Sequence, residues 1–125
     1  MGNYNQEESI HFKFKDSIRK NEEEFLELEK KKKYYEEKKN ILNEASKRLN
    51  SYVEKYREIY AGTDELIKLN RFDQELYEEE VKTKRLLAKE RDAINAEEKR
   101  LYERQESIHK KYRSELNAYH QKGEN

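Results

Sequence analysis

The chain contains no cysteine, no proline and no tryptophan, and only three glycines, at positions 2, 62 and 123. Without cysteine there is no disulfide, no thiolate nucleophile and no CxxC pair. Without proline, no interior position removes a helical hydrogen bond or clashes with the preceding turn. Three scattered glycines cannot build a phosphate-cradling loop. No apolar run approaches the roughly 20 residues of a membrane span, and no signal-peptide core follows Met1. The Met-Gly start has the glycine of a myristoylation site but Gln6 where that site takes Ser or Thr. A cytoplasmic chain with no membrane insertion is the expectation, with co-export by a non-classical route as its extension.

Charge of one sign is also lacking. Lys+Arg and Asp+Glu both number 28 in the 125 residues, and acids stand beside bases along the chain. Even the run Lys30 to Lys33 is flanked by Glu27 and Glu29 before it and Glu36 and Glu37 after it. A nucleic-acid binder needs a net basic face that releases counterions from phosphates, so no nucleic acid is expected as a partner.

What the chain does have is charge and tyrosine. Charged residues make up 45% and hydrophobic ones 33%, with ten Tyr and four Phe. Disordered chains pair low hydrophobicity with large net charge and few aromatics. A balanced, proline-free chain rich in Glu, Lys, Arg and Leu has instead the composition of a coiled coil.

One interruption organises the whole. Nothing breaks a helix from about residue 6 to 60; then comes Ala61-Gly62-Thr63-Asp64. Gly62 can adopt the left-handed conformation that closes a helix, and Thr63 or Asp64 can cap the next. A second unbroken stretch follows, from about 64 to 121. The expected fold class is all-α, a two-helix antiparallel coiled-coil hairpin spanning 1–125 as one domain, with its turn at 61–64.

Heptad spacing supports the fold-back. Positions 14, 21, 28, 35, 42, 49 and 56 read Phe14, Asn21, Leu28, Tyr35, Leu42, Leu49 and Tyr56. Positions 66, 73, 80, 87, 94, 101 and 108 read Leu66, Asp73, Glu80, Leu87, Ile94, Leu101 and Ile108. A seven-residue repeat keeps one stripe turned toward a partner helix. Folding at residue 61 levels 56 with 66, 35 with 87, 28 with 94 and 14 with 108. Asn21 then faces Leu101, Leu42 faces Glu80 and Leu49 faces Asp73, so every layer keeps an apolar member. The apolar residues of both rows form the predicted hairpin core. Flanking rows widen the stripe: Ala45, Tyr52 and Ile59; Ile18, Phe25, Val53 and Tyr60; and Tyr77, Tyr112 and Tyr119. A stripe wider than the strict seam implies more helix to cover, supplied by self-association as a homodimer or by a docked partner. Of the tyrosines, Tyr35, Tyr52 and Tyr56 are assigned to the seam, and Tyr4, Tyr34, Tyr102 and Tyr119 to a partner surface, where aromatics serve as anchors.

One pattern points toward catalysis: Glu8-Ser9-Ile10-His11 and Glu106-Ser107-Ile108-His109. Glu-x-x-His from two helices is part of the di-iron carboxylate site of helical bundles. With Ile108 in the core row, Glu106 and His109 fall on the opposite side of the helix, and no further inward Glu stands at that level. No metal, cofactor or catalytic residue is expected, and the chain is read as a non-enzyme.

A helical hairpin of this size with an aromatic-x-Gly turn resembles the WXG-type substrates and partner proteins of type VII secretion. The matching residues are Tyr60-Ala61-Gly62, Tyr60 standing where that family has Trp, in a chain longer than the secreted members. The family's export signal, Tyr-x-x-x-Asp/Glu near the end of the second helix, is matched by Tyr102-Glu103-Arg104-Gln105-Glu106. In general look the chain is similar to the small helical companions of LXG toxins in Gram-positive bacteria. The resemblance implies a chaperone or targeting factor that binds the helical N-terminal domain of a toxin, together with a second small helical companion, and helps target it for export. Tyr60, Gly62, Tyr102, Glu106, Tyr112 and Tyr119 are the candidate partner-binding residues. The alternative is a coiled-coil stalk similar in kind to the two-helix hairpin of flagellar and type III export ATPases.

Overall fold

A computed structural model of the chain describes the backbone of residues 2–124 and the side chains of residues 6–122. Tyr4 lies outside the described side chains. The fold is all-α: α1 (Gly2–Ile59) and α2 (Glu65–Glu124) joined by one turn, the antiparallel helical-hairpin class expected from the sequence.

The turn is built from few atoms. The Tyr60 carbonyl accepts from both the Thr63 backbone N–H (3.0 Å) and the Thr63 hydroxyl (2.7 Å). The Thr63 side chain therefore closes α1 and does not cap α2. α2 instead opens with two tightened bonds, Leu66 N–H to the Thr63 carbonyl and Ile67 N–H to the Asp64 carbonyl, both 3.2 Å; such short-range bonds satisfy donors a helix start leaves over. Gly62 holds φ at +78° with open space where a Cβ would lie. Only the backbone conformation demands glycine there. Gly62→Ala is therefore expected to lower stability by about 1 kcal/mol, and Gly62→Asn by less, read as urea midpoints by circular dichroism.

The chain divides into two compact units. Unit 1 joins Met1–Lys31 with Ile94–Asn125. Its core is Phe14, Leu28, Ile94 and Leu101, with Leu28 and Leu101 fully excluded from solvent. Ile108 is half-buried. Asn21 is only 2% exposed and donates from Nδ2 to the Leu101 carbonyl at 3.4 Å, the layer at which the two rows meet. Cross-helix ion pairs run antiparallel: Lys13–Glu115, Glu24–Arg104 and Lys31–Glu97, at 3.2, 2.9 and 3.2 Å.

Unit 2 is Lys32–Ala93, the hairpin that contains the turn. Here the core departs from the predicted row. Tyr35 is buried, but Leu42, Leu49 and Tyr56 are 36%, 38% and 42% exposed, and Leu66 and Leu87 are only half-buried. Tyr52, assigned to the seam, is 58% exposed, while Val53 is buried. Two causes combine. Across from Leu49 and Leu42, α2 carries Asp73 and Glu80, whose carboxylates hold their hydration unless paired, so the seam opens beside them. In addition, an α-helix drifts by about 20° per heptad against a strict seven-residue repeat. On α1 the inward stripe accordingly passes from the Leu42 row to the row of Ser46, Val53 and Tyr60. Asp73 then pairs with Arg57 (2.8 Å), and Glu80 accepts from Ser46 (2.6 Å) and Asn50 (3.2 Å).

Candidate partner-binding surfaces

In unit 1, Tyr102 and Glu106 stand one helical turn apart on α2, where residues four apart share a face. With Gln105, His109 and Arg113 they line one shallow open cleft. Tyr102 is 57% exposed, and its ring rests 5.0 Å from that of Phe25 on α1. That contact sets the ring against α1 while more than half of the residue stays exposed.

Tyr112 and Tyr119 sit differently. Tyr112 is half-buried, edge-on to Phe14 with ring centroids 5.2 Å apart, and its hydroxyl meets Nδ1 of His11 in a short hydrogen bond. It roofs the Phe14 core position as well as bordering the surface. Tyr119 is half-buried beside His120, with centroids 5.7 Å apart. Glu7 lies 3.7 Å from both His11 and His120. Of the two Glu-x-x-His motifs, one thus sends its His to Tyr112 and Glu7, and the other lines the Tyr102 cleft. Among the described residues no group of three His, Cys, Asp or Glu side chains comes close enough together to hold a metal ion.

Tyr60 and Gly62 belong to unit 2. Tyr60 is half-buried and stacked on Tyr56, with centroids 5.9 Å apart and planes 14° from parallel. Its carbonyl is occupied in the turn, so Tyr60 acts first as the hairpin's closing plate.

Unit 2 carries the broader apolar exposure. Tyr34, Ile41, Tyr52, Phe72, Tyr77 and Leu86 are all largely exposed. Leu42, Ala45 and Leu49 of α1 and Leu76 and Leu87 of α2 line a groove of about 160 Å³, with Glu80 within it. Leu76 was not among the predicted residues, although it stands three positions after Asp73, where the second apolar place of a heptad falls. Glu80 was placed opposite Leu42, but its partners Ser46 and Asn50 were missed.

Electrostatics are those of a solvated surface with a few fixed pairs. Lys20, with Arg19 adding to it, holds the Asp16 carboxyl below its usual value. A 2.5 Å hydrogen bond from Lys38 to Glu90 in unit 2 raises the lysine's affinity for its proton. No helix is long and apolar enough, among the described residues, to cross a membrane.

The fold and these surfaces define the class: a small helical-hairpin protein with aromatic and aliphatic faces on its outside. Compared with known protein families, curated proteins and solved structures, the chain matches none.

Proposed function

We propose that this chain is a helical adaptor or chaperone that binds the helical N-terminal domain of a type VII secretion effector of the LXG toxin kind and helps target it for export. It works by binding, without catalysis or cofactor, in the cytoplasm before export. The observation that carries the reading is the Tyr102–Glu106 pair. The residues of the Tyr-x-x-x-Glu signature share one solvent-facing cleft, and the tyrosine ring is held in place by Phe25 from the opposite helix. An aromatic already fixed in orientation loses little freedom when a partner covers it, which is what makes aromatic residues effective anchors. The Tyr-x-Gly turn, with Gly62 at positive φ, supports the same resemblance.

The test is co-expression of the full chain with the helical N-terminal domain of an LXG toxin encoded beside its gene, followed by size-exclusion chromatography. A stable complex is expected. Tyr102→Ala with Glu106→Ala is expected to weaken it at least tenfold while leaving the free chain's helicity unchanged. Separate elution of the two wild-type proteins would remove the proposal.

A further inference from the structure

We infer that the groove of unit 2 is the docking site for a second copy of this chain, laid antiparallel across it as a twofold-symmetric dimer. The argument begins with charge. The neutral total conceals a segregation that the fold-back brings together. Residues 40–80, the turn half of unit 2, hold six Lys+Arg and ten Asp+Glu, a net of −4. Residues 32–39 and 81–93, its other half, hold nine Lys+Arg and four Asp+Glu, a net of +5.

On α2 the groove straddles the boundary between these halves, its wall running from Leu76 to Leu87; on α1 its wall, Leu42 to Leu49, lies just inside the acidic half. A second copy centred on the groove and running the opposite way sets each acidic half against the other's basic half. A copy running the same way sets like against like. A twofold arrangement of this kind is self-complementary and closed, so it ends at two chains.

The apolar terms agree. Leu42 and Leu49 are left more than a third exposed by their own hairpin, and Leu76 and Leu87 are only half-buried. The chain exposes 10505 Å², whereas a compact monomer of this mass exposes about 7200 Å². Homodimer interfaces bury about 2000–5000 Å² over the two partners, or about 1000–2500 Å² from each, which lies within that surplus.

The lips of the groove show where pairing falls. Glu79 and Lys84 both border it, one on either side of its middle. In an antiparallel dimer centred there, Glu79 of each copy comes opposite Lys84 of the other. Glu80 supplies register: Ser46 and Asn50 both bond one of its carboxylate oxygens, leaving the other for a donor from across the dyad. A polar position set among apolar ones is how helical assemblies select one alignment.

The test uses the full chain alone. Sedimentation equilibrium is expected to show twice the 15.4 kDa chain mass, with the dimer at least tenfold weaker in high salt. Glu79→Lys and Lys84→Glu are each expected to weaken self-association at least tenfold, and an equimolar mixture of the two variants to restore it as a heterodimer. Leu49→Glu is expected to give a monomer, with circular dichroism confirming that it remains helical. A monomeric wild-type chain at 100-fold the concentration used for size exclusion would overturn the inference. So would a dimer indifferent to these substitutions, or a mixture that fails to restore association. A monomer that forms a groove-dependent complex only with an effector domain would overturn the second copy as occupant while leaving the proposed function standing.

Discussion

Leu101→Ala is expected to remove about 2–5 kcal/mol of stability, the cost of deleting a buried leucine whose surroundings relax only in part. Leu101 is fully excluded from solvent, and its own carbonyl accepts from Asn21 across the helix pair. Unit 1 has only a few such side chains, so each one carries a large share of its cohesion. Leu28→Ala is expected to behave alike. Leu26→Ala, at a position 64% exposed on the same helix, should stay within about 0.5 kcal/mol of the parent, as surface changes do. Urea unfolding followed by circular dichroism measures all three. If Leu101→Ala falls no further than Leu26→Ala, the seam described for unit 1 is not what holds it.

Asn21→Leu is expected to act in the opposite direction, raising stability by about 1–3 kcal/mol. Asn21 is almost wholly buried, and its Oδ1 accepts no hydrogen bond among the described residues. It borders a void of about 10 Å³ shared with Ile18, Glu22, Gln105, Ile108 and His109, room for about one water. A leucine removes the unsatisfied acceptor, fills the void and continues the apolar row. The Leu101 carbonyl gives up only a 3.4 Å contact. The accompanying loss is specificity, because a lone Asn in a helical seam penalises slipped alignments. Asn21→Leu should therefore melt higher yet show additional oligomeric species by light scattering. A lower melting temperature would mean that the amide contributes more than its geometry implies.

The fold class was legible because two local facts agreed: a single glycine interrupting a chain without proline, and heptad rows that level when folded there. The core was legible only at layers without a charged member. At Phe14, Leu28, Tyr35, Ile94 and Leu101 the spacing and the burial coincide. At Leu42 and Leu49 a leucine opposite a carboxylate satisfied the pattern, while Glu80 and Asp73 held the seam open; at Tyr56, level with Leu66, helical drift had carried the stripe to Val53. The Tyr102–Glu106 pairing is a one-turn spacing and could be read directly. Tyr112 looked like surface because its neighbours Phe14 and His11 stand about a hundred residues away in the chain. The charge segregation of unit 2 was half hidden for the same reason: the acidic stretch 40–80 is continuous, but only the fold-back sets 32–39 beside 81–93.

The placement of the core also shapes how the protein acquires its structure. Near the turn, where contacts close short loops and cost least chain entropy, the side chains available are mostly Asp73, Glu80, Arg57 and half-wet leucines. The most deeply buried side chains of unit 1, Asn21, Leu28 and Leu101, lie far from the turn, and the bond from Asn21 to Leu101 joins residues 80 apart in the chain. Loop entropy grows only logarithmically with length, so this arrangement is affordable in free energy, but it favours late, long-range closure over zipping outward from the turn. The part of α1 and α2 nearest the turn thus meets first with the more exposed seam. The final commitment to the native state falls to residues that approach one another last.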